Sequence, residues 1–170
     1  MTSEKLKKNA QQSKRYPFIA EHRGGPLSIE NHRRLIKWAR ECSEHVLHLV
    51  DTEIDQRLKH ALYVAEEWEK GNLPTGDAMK ASLSAHEVAR ETKNPIYKLL
   101  ARAIGQTVAT AHMADHSLGG AFYALRAVKL ANKNIEAERQ WQTSKLNKLP
   151  PEIINIVETM WKKKELDRRT

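Results

Sequence analysis

The chain has 170 residues, with 29 Lys or Arg against 21 Asp or Glu and a formal net charge of +8. This length suits one domain with a sizeable core. The single cysteine excludes an internal disulfide, and no apolar run approaches the ~18 residues that a membrane span requires. The charged N-terminus lacks the apolar stretch of a secretory signal, so we expect a cytoplasmic protein that is not associated with a membrane.

The positive charge is concentrated at the two ends of the sequence. Residues 1–26 carry a net charge of +4 and residues 161–170 carry +3, whereas residues 27–160 carry only +1. A duplex-binding domain usually collects its cations on one face of the fold itself. We therefore interpret residues 1–26 as a basic flexible arm and residues 165–170 as a basic tail, around a helical domain at residues 27–164. A nucleic-acid-associated protein that uses these tails remains an alternative.

The first half of the sequence predicts three helices. The first begins after Ser28, a favourable N-cap, and runs to about Val50. The second covers roughly residues 53–70 and ends at Gly71, and the third covers roughly residues 77–92. The predicted core stripes follow steps of three and four: Leu35, Trp38 (or Ala39), Cys42, Val46 and Leu49; Leu58, Ala61, Leu62, Ala65 and Trp68; and Met79, Leu83, His86 and Ala89 or Arg90.

The segment Ala101–Ala131 is predicted to lie at the centre of the fold. It holds nine alanines, three glycines, no proline and three cationic residues, too few polar groups to leave a wide face in water. Asn94-Pro95 is a good helix start, whereas Ser117–Gly120 disfavours a continuous helix because glycine costs up to ~1 kcal/mol inside one. We expect two helices, at about residues 95–115 and 118–132, joined by a tight hairpin or a sharp bend.

Two more helices are expected near the end, at about residues 135–146 and from Pro150-Pro151 to about Lys164. No stretch alternates as a strand does. The sequence therefore predicts an all-α fold, either a single-domain bundle or a short array of helical hairpins around the Ala/Gly-rich segment.

Three polar side chains stand out in this apolar segment: His112, Asp115 and His116, in the stretch HMADH. Polar groups in such a setting are costly to bury unless they have hydrogen-bond partners. We interpret them as a hydrogen-bonded cluster in which Asp115 holds an imidazole and Tyr123 or Arg126 lies nearby. A ligand or a partner protein could recognise the same cluster.

A metal-dependent helical enzyme is the alternative for these residues. Histidines four apart on a helix can bind zinc, and His86 could join His112 and His116 as a third ligand. The match to the inverted zincin motif is poor, because Asp115 stands where that motif has glutamate. No nucleophile elbow, phosphate loop or dinucleotide fingerprint is present, so no cofactor is expected. Cys42, on the apolar stripe of the first helix, is predicted to be a small hydrophobe.

Three stretches together resemble a known family: GQTVATAHMADHSLGGAFYALRAV (Gly105–Val128), AERQWQ (Ala137–Gln142) and LPPEI (Leu149–Ile153). They are similar to the Imm-5-like putative immunity proteins, whose Ala-rich helix carries A-H-x-x-x-H-A-L-G-A, then a Tyr-Ala step and a Glu-Arg-x-Trp-Gln segment before Leu-Pro. The matching residues are His112, His116, Leu118, Gly119, Tyr123, Ala124, Glu138, Arg139, Trp141 and Gln142. With WARECSEHVL and RLKHALYVAEEWEKG, which resemble the opening helices of the family, the likeness covers roughly residues 31–153.

The resemblance implies an all-helical bacterial protein that is not an enzyme and that binds and blocks a cognate protein toxin. The chain departs from the pattern at Ser117–Gly120, where the family has alanines, and in its two basic tails. The family assigns no active site. The candidate residues for binding a partner or ligand are His86, His112, Asp115, His116, Tyr123, Arg126 and Trp141, and a homo-oligomer stays open.

Overall fold

Nine α-helices form the fold in the computed structural model, which describes every residue from Met1 to Thr170. The helices are α1 (Ser3–Gln12), α2 (Ile29–His45), α3 (Gln56–Glu69), α4 (Thr75–Glu91), α5 (Pro95–Ala109), α6 (His116–Leu130), α7 (Ile135–Leu146), α8 (Pro151–Lys163) and α9 (Leu166–Arg169). The β-structure consists of one isolated parallel β-bridge between Ala20 and Leu27. The all-α prediction is confirmed. No helix combines the length and apolar character needed to cross a membrane.

Helix starts and stops follow the local signals of the sequence. The Ser28 side chain accepts a hydrogen bond from the backbone N–H of Asn31 at the start of α2. Asn94 caps α5 through the N–H groups of Ile96 and Tyr97, with proline at the first helical position. Gly71 follows α3 with φ at +82°, a left-handed conformation that glycine adopts without strain.

Helices α5 and α6 form an antiparallel hairpin at the centre, packed against α4 on one side and α2 on the other. The segment Ala101–Ala131 is largely buried, as predicted, and it does divide into two helices. The break lies at residues 110–115, one turn earlier than we expected. Gly119 and Gly120 instead lie inside α6 at close contacts: a Cβ at Gly120 would be 2.8 Å from Thr107 Oγ1, and one at Gly119 would be 2.6 Å from Gln106 Oε1. These glycines set the spacing of the hairpin.

Two hydrophobic clusters of equal size lie on either side of this hairpin. One is formed by buried side chains of α2, α6, α7, α8 and the segments near both chain ends, including Phe18, Leu35, Trp38, Phe122, Trp161 and Leu166. The other is formed by α3, α4 and α5 with Ile36 of α2, and it is rich in alanine. A smaller third cluster holds Val46, Leu100, Ala124, Ala127 and Val128.

The predicted inward face of α4 is wrong at Met79 and Leu83 and correct at Ala89. Met79 and Leu83 are 48% and 67% exposed, and the buried face consists of Ala78, Ala81, Ser82, Ala85, Val88 and Ala89. The reason is close packing against α5, where the Ser82 hydroxyl donates to the backbone carbonyl of Gly105 at 3.0 Å. Larger side chains would hold the two helices apart, so the small residues face inward and the large ones face out.

Both ends of the chain contribute to the core, which differs from the free arm and tail expected from composition. Phe18 is 1% exposed, and Ile19 and Leu27 are also buried. At the other end Leu166 is buried, and the indole N–H of Trp161 donates to Asp167 at 2.7 Å. Helix α1 lies on the surface, with only Ala10 buried, so the mobility of residues 1–12 stays a prediction.

Candidate functional site

The turn between α5 and α6 carries the polar motif. We call residues Thr110–His116 the tip of the hairpin. The imidazole Nε2 of His32, on α2, donates to the carbonyl of Thr110, and the His32 ring lies 4.9 Å from the indole of Trp68. Burial lowers the pKa of His32, so the ring is neutral and its N–H is available to hold the turn. The tip is therefore anchored to the helix beneath it.

The two histidines of the tip lie beside one another, with ring centroids 5.2 Å apart. His116 Nδ1 donates to the side-chain oxygen of Gln106 at 2.8 Å. The pKa of His116 is lowered chiefly by burial, and that of His112 by burial and then by the charge of Arg15. His112 Nδ1 is buried and has no hydrogen-bond partner in the protein. Both imidazoles are thus neutral groups, one fixed and one without a partner.

Asp115 does not hold an imidazole, contrary to the sequence prediction. Its carboxylate is 9% exposed and lies between two cations: Oδ2 is 3.6 Å from Arg15 Nε and 3.8 Å from Lys164 Nζ. Oδ1 has no hydrogen-bond partner. The cations come from the two ends of the chain, and their charge outweighs the short-range attraction of an uncharged imidazole.

Two cavities open on either side of the tip. The first, of about 280 Å³, is lined by Phe18, Ile19, Ala20, His22, Arg23, His32, Thr75, Ala111, His112, Met113 and Ala114. The second, of about 250 Å³, is lined by Gln106, Asp115, His116, Leu118, Gly119, Phe122, Tyr123, Lys164, Leu166 and Arg169. Each cavity combines apolar walls with a few polar groups, the composition typical of a recognition site.

The other candidate residues fall into three places. Tyr123 lines the second cavity with Asp115 and His116. Arg126 lies further along α6, where its guanidinium carbon is 5.7 Å from the Phe122 ring centroid. Trp141 is remote from the tip, stacked on His45 at 3.6 Å between centroids and 5° between planes.

His86 lies on α4 behind the hairpin rather than at the tip. A Cβ at Gly105 would be 2.6 Å from its imidazole, so this ring fills the space that the glycine leaves. The guanidinium of Arg102 donates to His86 Nδ1 at 2.9 Å, which fixes the ring as a neutral acceptor at that atom. Burial, followed by the charge of Arg102, lowers the pKa of His86 to about 4.

The metal-dependent alternative finds no ligand set in this arrangement. No group of three or more His, Cys, Asp or Glu side chains is placed to hold a metal ion. His86 Nδ1 is already occupied by Arg102, and His116 Nδ1 by Gln106. His86, His112 and His116 therefore do not form the zinc site that their spacing allowed.

Sequence reasoning missed four residues that build the site: Arg15, His32, Gln106 and Lys164. His32 was detectable, because it lies three residues before Leu35 and extends the core stripe of α2 by one turn. Gln106 lies ten residues before His116, and only the position of the helix break brings them together. Arg15 and Lys164 gave no signal, since nothing local indicates that two distant cations share one carboxylate.

The polar cluster around Trp141 is the second feature that the sequence did not reveal. Both oxygens of Glu138 accept from His45 Nδ1 at 2.9 Å, and Lys145 Nζ lies 5.3 Å from the Trp141 ring centroid. Gln142, fully buried, donates to the carbonyl of Ala121 at 3.0 Å. The Glu-Arg-x-Trp-Gln segment thus joins α7 to α2 and α6.

Comparison with known proteins gives one match. The model of the Imm-5 like putative immunity protein family matches residues 25–149, which contain α2 to α7 and the whole tip. Searches of curated proteins and of solved structures found no match. The segments outside the family match are those that bring Arg15 and Lys164 to Asp115. Because the match covers most of the chain, the protein belongs to the Imm-5 like putative immunity protein family.

Proposed function

We propose that the protein binds a cognate bacterial toxin and neutralises it by occlusion, with the tip and its two cavities as the recognition surface. Membership of an immunity protein family supports the immunity role. One observation carries the choice of surface. At the tip, His112 Nδ1 and Asp115 Oδ1 lack hydrogen-bond partners in the protein, although the rest of the hairpin is tightly packed.

Unpartnered polar atoms are uncommon in a folded core, because each one costs about 1–3 kcal/mol. The chain has six such side-chain atoms, and two of them lie in the middle of the motif, on residues that line open cavities. The other four belong to Arg33, Arg40, Arg139 and Gln142. A partner that supplies the missing donor or acceptor would recover this free energy only in the complex. Such groups therefore favour binding to a matching surface over packing within the chain.

The tip is also held in one conformation before any partner arrives. His32 fixes the Thr110 carbonyl, and Gln106 fixes the His116 ring. A surface that is already ordered loses less conformational entropy on binding, so more of the contact energy appears as affinity. This suits an inhibitor whose role is to stay bound.

A binding role rather than catalysis is supported by the nucleophiles that the chain offers. Cys42 is fully buried, and burial raises the pKa of its thiol well above the usual range. Ser117 is buried, and its hydroxyl donates to the backbone carbonyl of Ala114 at 2.7 Å. Neither side chain is placed as an activated nucleophile beside the tip histidines.

The test expresses the genes that flank this one, each in a host cell with and without the protein, to identify a neighbouring toxin domain. The wild-type protein should restore growth and form a stable complex with that domain in solution. His112→Ala removes a ring whose Nδ1 has no hydrogen-bond partner, so it should lose binding while keeping the melting temperature. His116→Ala should lose binding with a modest drop in melting temperature, because Gln106 loses its hydrogen bond. His60→Ala, at an exposed histidine of α3, should behave as wild type. An absence of rescue and complex by the wild-type protein would contradict the toxin-binding function. Full binding by both tip variants would place the interface elsewhere.

A further inference from the structure

The two basic ends of the chain meet at the tip. Arg15 and Lys164 both point to Asp115, at 3.6 and 3.8 Å, and both remain partly exposed. Arg169 lines the same second cavity as Lys164, with its guanidinium carbon 5.7 Å from the Phe122 ring centroid. Arg23 lines the first cavity. We call these four cations, Arg15, Arg23, Lys164 and Arg169, the collar.

The collar adds positive charge to one end of a fold in which residues 27–160 carry a net charge of only +1. Residues 1–26 and 161–170 carry net charges of +4 and +3, against +1 for the rest of the chain. Nearby acidic groups of the C-terminal segment are engaged elsewhere: Asp167 accepts from Trp161, and Glu165 pairs with Arg168 at 3.1 Å. Asp115 pairs with Arg15 and Lys164, and neither Arg23 nor Arg169 forms a salt bridge within the chain.

We propose that the collar is a docking surface for an acidic face of a protein partner, with carboxylate side chains entering the second cavity. This inference rests on the proposed function, because it takes the toxin to be the partner. The cavity, of about 250 Å³, presents donors suited to a carboxylate: Lys164, Arg169 and the amide of Gln106. Attraction between the collar and an acidic face would also raise the association rate.

A protein fits this surface better than a nucleic acid. Two of the collar cations, Lys164 and Arg169, line a compact cavity of about 250 Å³, which can admit a single carboxylate side chain but not a continuous phosphate backbone. Base recognition by stacking needs accessible aromatic faces, but Phe122 is buried and already covered by Arg126 and Arg169. Side-chain carboxylates are smaller and can approach the cations singly.

The test compares two triple variants of the full-length chain that remove the same charge. Arg15→Gln/Lys164→Gln/Arg169→Gln removes three collar cations. Lys93→Gln/Lys98→Gln/Lys133→Gln removes three exposed lysines at the other end of the hairpin, roughly 20 Å away because α5 and α6 each span 15 residues. Binding rates are measured for three probes across a salt series: the neighbouring toxin domain, a labelled acidic peptide of alternating Glu and Gly, and a labelled duplex DNA of mixed sequence.

We expect the collar triple to slow toxin association at low salt by tenfold or more and to flatten its salt dependence, while the control triple stays within twofold of wild type. The acidic peptide should lose affinity only in the collar triple. Equal losses in both triples would overturn the docking surface and leave toxin binding standing. If the toxin domain does not bind at all, the proposed function fails. The collar proposal is then tested by the acidic peptide alone: a loss of affinity only in the collar triple supports it, and no difference between the triples contradicts it. Tighter binding to DNA than to toxin and peptide would overturn the proposal. The salt dependence of wild-type binding provides the same test if the collar triple does not fold.

Discussion

The interior of the α5–α6 hairpin is closely packed, whereas its tip contains polar atoms without hydrogen-bond partners. In the interior, glycines let side chains of the facing helix approach to contact distance, and Thr107 and Ser43 share a hydrogen bond at 3.1 Å with no exposure. At the tip, two buried polar atoms lack partners and two cavities remain open. The same stretch of sequence thus supplies both a closely packed core and an incompletely satisfied surface.

This difference separates stability from recognition within one motif. The interior gains free energy from close packing, so any change of volume there should be costly. The tip gains little stability from its polar groups and offers them to a partner. Substitutions in the interior should therefore change the melting temperature, and substitutions at the tip should change binding. The four tests below locate the boundary between the packed interior and the tip.

Phe18→Ala should have the largest effect on stability. Phe18 forms a wall of the first cavity but also belongs to the large hydrophobic cluster, and it is almost fully buried. Truncation of such a side chain costs about 3–5 kcal/mol, which would lower the melting temperature by about 10 °C. Thermal unfolding of Phe18→Ala and of Tyr16→Ala, an exposed neighbour, checks this. If Phe18→Ala lowered the melting temperature as little as Tyr16→Ala, the Phe18 side chain would not belong to the core.

Ala124→Leu and Ala111→Leu form a matched pair across the boundary. Ala124 is fully buried in the small cluster with Val46 and Leu100, so the added atoms have no space and should cost about 1–3 kcal/mol. Ala111 lies at the tip beside the first cavity, which can receive part of the larger side chain. Chemical denaturation should therefore find Ala124→Leu clearly less stable than Ala111→Leu. Equal losses would show that the tip is packed as tightly as the interior.

The pH dependence of stability should report His86, which packs against Gly105 in the interior of the hairpin. Its pKa is lowered to about 4 in the folded protein, from 6.5 for an ordinary histidine, so the unfolded chain binds the proton more readily. The corresponding stability is complete above about pH 6.5 and is lost as the pH falls towards 4. His86→Gln should therefore give a shallower fall in melting temperature across this window than wild type. Thermal unfolding of His86→Gln and of wild type is measured across this pH range, and an unchanged slope in His86→Gln would contradict the assignment.

Deletion of residues 1–12 should have the smallest effect. Helix α1 buries only Ala10, so its removal should shift the melting temperature by no more than about 2 °C. The collar should also survive, since Arg15 lies beyond the deletion. Deletion of residues 1–19 is the control, because it also removes Phe18. A large shift for the shorter deletion would make α1 part of the structural core.

Sequence periodicity was sufficient for α2 to α8 and for most of the core, but α1 and α9 lie in segments that were interpreted as an arm and a tail. Ser28, Asn94 and Gly71 act as helix boundaries because capping is a local interaction that a few neighbouring residues determine. The inward face of α4 was not predictable in the same way. Met79 and Leu83 look like core residues by hydrophobicity, and they are outward only because α5 presents a surface on which small residues fit.

The candidate site was predictable only in its motif. His112, Asp115 and His116 do gather at one turn, but their partners depend on contacts between distant segments. Arg15 and Lys164 reach Asp115 from opposite ends of the chain, and His32 reaches Thr110 from α2. Hydrogen-bond partners of this kind follow from tertiary packing, which no local pattern encodes.

The two large hydrophobic clusters differ in how much of the chain each one needs, and this has a consequence for folding during synthesis. The alanine-rich cluster draws on residues between Ile36 and Ala111, so it can assemble once α5 has left the ribosome. The other cluster joins Phe18 to Leu166 and cannot be completed until the segment that carries Leu166 has been made. The tip acquires Lys164 at the same stage. We therefore expect a nascent chain to form the alanine-rich cluster first and to become competent for binding only after Lys164 and Leu166 have left the ribosome.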